Sequence, residues 1–287
     1  MNNSSVFFLN PLSKHKKGQK KWHVIADSSF KKQYITDCSK VISDIQNTTA
    51  QTVVAVGGDG TINLVLNGAL LSNPKKKLGV LYAGTSPDFC KFHNIPLDEK
   101  EALEVIQKEK AQSVDVLHCQ EKDLYFASSC NIGLGVRVAT LSNKIRKYFG
   151  DFLGTFIAAL YAIIIAKKFS VSLKMDNKEF KLDSVYHLII LKNPFIASGL
   201  KLNADIQPDD GFLYTVAIKK NLIRSLLSLY RGKIPENAFI NKGKKVYVST
   251  HPALQLEWDG DAQNITTPVT IECKQKFLEL LTCKNMI

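Results

Sequence analysis

The run Thr52-Val53-Val54-Ala55-Val56 leads directly into Gly57-Gly58-Asp59-Gly60-Thr61, and helical spacing resumes at once with Ile62, Val65, Leu66 and Ala69. A β-branched run of this kind predicts a strand buried on both faces. A strand that stops at glycines and restarts as a helix is the repeating element of a parallel sheet with helices on its faces. The rest of the first third follows the same rhythm. Val6 to Leu9 reads as a strand ending at Asn10-Pro11, and the Lys-rich stretch from Ser13 leads into a helix carrying Trp22, Ile25 and Ala26. Tyr34 to Thr36 suggests a further strand, after which the Asp37 carboxylate can cap a helix with Cys38, Val41, Ile42 and Ile45 on one face. Leu78 to Tyr82 reads as a strand ending at Ala83-Gly84-Thr85, and Glu99 to Glu109 as a helix. Ligands of such sheets bind beyond the carboxyl ends of the strands, so three strand-end loops are expected to face one crevice.

The pattern changes near Ser113. Strand-like segments dominate from there: Ser113–His118, Leu124–Cys130, Phe169–Met175, Val185–Leu191, Phe212–Ile218, Lys245–Ser249, Leu254–Trp258 and Val269–Cys273. Asp176-Asn177 reads as a hairpin turn, and two helices interrupt, around Asp151–Lys168 and Asn221–Tyr230. The expected fold is an α/β domain with a parallel sheet over residues 1–115, followed by a mostly antiparallel β-sandwich over residues 116–287.

Lys and Arg number 38 against 26 Asp and Glu, a net charge of +12 that suits phosphates, nucleic acid or an anionic membrane without choosing among them. No nucleic-acid motif accompanies the charge, which argues against that partner. The six cysteines show neither zinc-ligand spacing nor neighbouring His clusters, and they read as reduced thiols of a cytoplasmic protein. No signal peptide is visible at the N-terminus. The apolar stretch from Phe152 to Ala166 is shorter than a bilayer span and reads as a core helix. The segment from Leu141 to Phe149 mixes Ile145, Tyr148 and Phe149 with Lys144, Arg146 and Lys147, a composition that suits a membrane interface.

Gly57 to Thr61 carries the chemistry. Glycines let backbone approach a ligand closely, and the N–H groups that open a helix form an anion site. Asp59 within such a site points to a metal–nucleotide complex, the alternative being a tight turn with a solvated carboxylate. The chain has no G-x-x-x-x-G-K-[ST] and is therefore no P-loop protein.

With these motifs in view, the chain resembles the diacylglycerol kinase catalytic-domain family, which includes bacterial soluble lipid kinases and is related to sphingosine kinases. Gly57 to Thr61 looks like its signature, which NAD kinases share and to which a phosphofructokinase loop is related. Asn10-Pro11-Leu12-Ser13 resembles the family's opening Asn-Pro-x-Ser-Gly, with Lys14 in the place of Gly. Gly84-Thr85-Ser86-Pro87-Asp88-Phe89 resembles Gly-Thr-x-Asn-Asp-Phe-Ala, with Pro87 for Asn and Cys90 for Ala. Gly133-Leu134-Gly135, Pro208-Asp209-Asp210-Gly211 and Trp258-Asp259-Gly260-Asp261 resemble the later motifs, the last with Asp where the family has Glu.

The resemblance implies an NAD-kinase- or phosphofructokinase-like first domain and an ATP-dependent, Mg2+-requiring transfer of the γ-phosphate to a lipid hydroxyl. ATP is then expected between the domains, lined by Asn10, Pro11, Leu12, Ser13, Lys14, Thr36, Gly57, Gly58, Asp59, Gly60, Thr61, Ile62, Asn63, Gly84 and Thr85. Asp59 and Asp88 are the expected holders of catalytic Mg2+, with a helix cap as the alternative for Asp88. Asp261 stands in the place of the general base, with a turn carboxylate as the alternative. A second, structural Mg2+ is implied at Asp210 with the carbonyls of Gln207 and Phe212, where a simple β-turn is the alternative. The implied partner is a lipid at an anionic membrane surface, which makes the protein cytoplasmic with peripheral membrane association; a homodimer is compatible with this. The rivals are an NAD- or sugar-type kinase and a lipid- or nucleotide-binding pseudokinase that has lost catalysis.

Overall fold

The computed structural model describes residues 5–11, 13, 31–149, 151–196, 200–219, 222–236, 238–259 and 261–283. The expected Lys-rich helix, Leu12, Lys14 and Gly260 lie outside them, and of Asp261 only the backbone is described. The chain forms two compact units, the first from Met1–Val116 and Gln275–Ile287, the second from Leu117–Ile196 and Leu200–Lys274. The closing residues from Gln275 therefore join the first unit, whereas the sequence reading assigns them to the second.

The first unit runs β1 (Ser5–Leu9), β2 (Lys31–Tyr34), α1 (Val41–Asn47), β3 (Thr52–Gly57), α2 (Asp59–Leu70), β4 (Lys77–Tyr82), α3 (Asp88–Phe92), α4 (Glu99–Lys108) and β5 (Ala111–Cys119). The sheet order is β2-β1-β3-β4 with every pair parallel, and the chain's last strand ends beside β4, Leu280 opposite Leu78. Val53 to Val56 are fully buried, as their β-branched composition predicts. Asp37 accepts a hydrogen bond from the Ser39 N–H and caps a short 3-10 turn ahead of α1. Asp98 accepts from the N–H groups of Lys100 and Glu101 and so starts α4, whose Ala102, Val105 and Ile106 pack on the sheet. The second strand sits earlier than expected, and Ile35 and Thr36 follow it.

The second unit holds β6 (Leu124–Phe126), β7 (Ser129–Gly133), α5 (Leu134–Phe149), α6 (Asp151–Ile164), β8 (Phe169–Met175), β9 (Lys178–Val185), β10 (His187–Leu191), β11 (Phe195–Ile196) and β12 (Leu200–Lys201). It continues through β13 (Leu213–Ile218), α7 (Leu222–Tyr230), β14 (Phe239–Gly243), β15 (Lys245–His251), β16 (Gln255–Trp258), β17 (Asp261–Thr266) and β18 (Val269–Leu281). One sheet has the antiparallel order β14-β13-β10-β7-β16-β17; the other places β15 between β18 and β8, with β9 outside β8. The inward residues of both sheets form one core, among them Phe126, Ile132, Leu173, Ile190, Val248, Leu256, Trp258 and Ile271. This is a β-sandwich, as the strand alternation predicts.

Several expected elements change for identifiable reasons. The expected strand Leu124–Cys130 is broken, because the Asp259 carboxylate takes the N–H groups of Ala127, Ser128 and Ser129 at 3.0–3.1 Å. Val185–Leu191 divides because the chain leaves one sheet for the other: Tyr186 N–H bonds the Ile218 carbonyl in β10's own sheet. The last strand runs on past Cys273 through the polar Lys274-Gln275-Lys276, with Lys276 at φ +51° and its N–H held by Asp115 at 2.8 Å. A third helix, α5, adds to the two expected. Among the described residues no helix is long and apolar enough to cross a membrane.

Candidate active site

Because β1 to β4 are parallel and in register, Leu9 opposite Val56 and Gly57 opposite Tyr82, their carboxyl ends fall on one edge of the sheet. The expected meeting of the three loops holds within the first unit. Asn10 N–H bonds the Val56 carbonyl at 3.0 Å, and its side-chain amide donates to Thr61 Oγ1 at 3.1 Å. Ala83 N–H bonds the Gly57 carbonyl at 2.7 Å. Pro11 and Ser13 continue the Asn10 loop, whose turn is closed by Ser13 N–H on the Asn10 carbonyl.

The two glycine loops touch through their backbones. A Cβ on Gly84 stands 2.7 Å from the Gly58 Cα, and one on Gly58 stands 3.1 Å from the Gly84 Cα. Real Cβ atoms do not come within 3.0 Å of backbone, so Gly84 demands glycine, whereas a side chain at Gly58 requires its neighbour to give way slightly. Gly58, which has no side chain, stands at the N-cap of α2, so the cap residue offers no side-chain acceptor to the first turn of the helix. An anion suits that place on charge and on hydrogen bonding alike.

Asp59 opens α2 and Asp88 opens α3, where Ser86 Oγ donates to Asp88 Oδ2 at 3.0 Å. Tyr82 lies between them. Burial, then the negative charges of Asp59, Cys90 and Asp88, push its hydroxyl far above the ordinary tyrosine value. Asn63 Oδ1 is buried with no hydrogen-bond partner among the described residues. Two carboxylates at helix N-termini, a helix head without a side-chain cap and an orphaned carbonyl oxygen fit a polyphosphate with its divalent cation. Ile62 is buried under the loop, and Thr85 is exposed at its rim. Thr36 follows β2 at the same carboxyl edge, where Ile35 N–H bonds the Leu9 carbonyl at 2.7 Å, and it lines a small groove with Gln33, Asp37 and Asp44.

In the second unit Asp261 opens β17 opposite Trp258, the partner at the end of β16. Asp259 between them has φ +51°, and its carboxylate ties this turn to the 127–129 backbone. The first Asp of the motif is thus a scaffold that sets where Asp261 begins. Sequence reading overlooked this, as it overlooked Glu257, buried with its carboxylate on the Asn131 amide at 2.7 Å. No local signal marks either, because the partners lie more than a hundred residues away.

The expected structural cation site has a different occupant. Lys192, 1% exposed, directs Nζ to Asp210 Oδ1 at 2.5 Å and to the Phe212 carbonyl at 3.2 Å. Asp210 also accepts from Phe212 N–H at 3.0 Å, Tyr214 hydroxyl at 2.8 Å and Gln207 N–H at 3.3 Å. Burial pushes the Asp210 carboxyl upward, and the bonds from Lys192, Phe212 and Tyr214 outweigh it and hold it below its ordinary value. Gln207, Asp210 and Phe212 do come together, but they do not fit a metal here.

The fold is that of an α/β domain with a parallel sheet, whose carboxyl edge gathers the glycine loops, together with an antiparallel β-sandwich. Residues 4–119 match the diacylglycerol kinase catalytic domain, and residues 128–282 match the YegS C-terminal NAD kinase beta sandwich-like domain. The chain belongs to the diacylglycerol kinase catalytic-domain family, in its form with a YegS-type sandwich. A "putative lipid kinase" of Staphylococcus epidermidis is 28% identical over 265 residues, 89% of this chain and 84% of that protein. One from Staphylococcus haemolyticus is 26% identical over 252 residues, covering 85% and 80%. A crystal structure described as a "putative diacylglycerol kinase" from Bacillus anthracis superposes with a TM-score of 0.82 at 18% identity, covering 99% of both chains. At that identity the likeness speaks to the fold.

Proposed function

We propose that this protein transfers the γ-phosphate of ATP to the hydroxyl of a lipid, diacylglycerol or a similar alcohol. The observation that carries the reading is the backbone contact of the Gly58 and Gly84 loops at the head of α2, with Asp59 and Asp88 beside them. Phosphoryl transfer asks a protein mainly to position the reactants and to neutralise charge. The N–H groups at the head of α2 bind phosphate oxygens, aided by the positive end of the helix, while Asn10 holds Thr61 and so fixes the loop's shape. Asp59 and Asp88 are the residues that hold Mg2+, which when bound offsets the phosphate charge and orients the chain of phosphates. Asp261 accepts the proton of the attacking hydroxyl; its side chain is one methylene shorter than the Glu of the family, and rate is expected to be limited there.

The lipid is reached at an anionic membrane surface. Leu160, Tyr161 and Ile164 are exposed along α6, Ile164 by 80%, and Lys167 and Lys168 follow immediately. Apolar groups beside cations suit the boundary of an anionic bilayer, at about 1 kcal/mol per basic residue.

The test is transfer of labelled γ-phosphate to a panel of hydroxyl lipids in mixed micelles with Mg2+. A radiolabelled phospholipid is the expected product, lost with Asp261→Ala and raised with Asp261→Glu. Phosphorylation of NAD or a sugar without detergent, or ATP binding with no turnover on any lipid, sinks the reading.

A further inference from the structure

Lys192 follows β10 directly, and its side chain is as buried as any in the sandwich core. Its ammonium lies between Asp210 Oδ1 and the Phe212 carbonyl, two of the three groups that the family resemblance assigns to a structural cation. We propose that in this chain the Lys192 ammonium replaces that divalent cation, so that the turn before β13 is held by a built-in charge and the second unit folds without metal.

The hydrogen bonds around Asp210 carry the argument. An ionised carboxylate offers about four lone-pair sites. Four donors take them: Lys192 Nζ, the Phe212 and Gln207 N–H groups and the Tyr214 hydroxyl. Mg2+ needs oxygen ligands at about 2.0–2.1 Å in near-octahedral array. To enter, it must displace the ammonium from both oxygens and leave a buried lysine charge beside it. That exchange costs two charge-assisted bonds and adds like-charge repulsion. The ammonium, by contrast, balances one partly buried carboxylate with one charge. It also joins neighbouring strands, since Leu191 pairs with Tyr214 across β10 and β13. Tyr214 reinforces the arrangement: its hydroxyl donates to Asp210 Oδ2 at 2.8 Å. The inference does not depend on the kinase reading, because it concerns what holds the sandwich.

The experiment is thermal unfolding of the full-length, nucleotide-free protein in EDTA and in millimolar Mg2+ or Ca2+. Superimposable midpoints are expected for the wild type. Lys192→Met is expected to melt lower by roughly 10 °C in EDTA, since it removes the charge partner of the partly buried Asp210 carboxylate. Added divalent cation is then expected to recover part of that loss by taking the vacated place. Lys192→Met combined with Asp210→Asn is expected to melt higher than Lys192→Met alone in EDTA and to ignore the cation. If Lys192→Met does not fold, Mn2+ binding by electron paramagnetic resonance to wild type and Asp210→Asn decides, with identical binding by both proteins expected. A cation-induced rise in the wild-type midpoint, or a Mn2+ site, that Asp210→Asn abolishes overturns the proposal. So does a Lys192→Met protein that melts like the wild type.

Discussion

The glycine edge of the first unit and the Asp210 and Asp259 turns of the second are built on opposite principles. At the edge, function comes from what side chains leave out: Gly58 and Gly84 meet backbone to backbone, and α2 presents N–H groups with no cap of its own. In the sandwich, turns are fixed by what side chains supply: Lys192 holds Asp210 from 18 residues away, and Asp259 holds the backbone of Ser128 from 131 residues away. A loop defined by missing atoms is marked by its own glycines, even though Gly58 and Gly84 come from different strand ends. A turn held by a charged side chain depends on a partner that the fold must deliver.

This contrast can be broken experimentally. Gly84→Ala is expected to cost the most. Its Cβ meets the Gly58 Cα at 2.7 Å, so one loop must move and the phosphate site is misplaced. A loss of about 100-fold or more in kcat/KM is expected, with weaker ATP binding by calorimetry, while the melting of the sandwich is unchanged. If Gly84→Ala binds ATP normally, the glycine contact is not what shapes the site.

Asp259→Ala is expected to do the reverse and act through stability. Three backbone N–H groups lose a charged acceptor, at a cost of about 3 kcal/mol. Denaturant unfolding measures this, and ATP affinity is expected to persist in the folded fraction. Asp259→Asn, which keeps one acceptor oxygen, is expected to recover part of the loss.

His187 gives a pH handle on the second unit alone. Burial, only partly offset by its bond to the Ile132 carbonyl, lowers its pKa from 6.5 to about 4. The unfolded chain therefore takes up a proton at higher pH than the folded one. The stability from keeping this ring neutral is complete above pH 6.5 and is lost as pH falls from 6.5 toward 4, by up to about 3 kcal/mol. Chemical denaturation across that range is expected to show this slope in the wild type and a flatter one in His187→Gln. The smallest effect is Asp98→Ala, which removes the cap of α4 from the first unit and is expected to cost about 1 kcal/mol in a thermal melt.

Legibility in the sequence follows the same division. Hydrophobic periodicity marks β1, β3, β4 and α4 because each is held by its own pattern, buried on the faces that the pattern predicts. The break between β6 and β7 was invisible, since it comes from Asp259. The long β18 was cut short because its polar middle hides a strand that is anchored by Asp115.

The glycines of Gly57 to Thr61 and at Gly84, and the strands that lead into them, were determined by sequence alone, because glycine placement and strand period are local properties of the chain. The identity of the charge opposite Asp210, the role of Asp259 and the company of Glu257 were decided by tertiary structure. A buried polar group is defined by its partner, and partners separated by tens to hundreds of residues meet only once both sheets have formed.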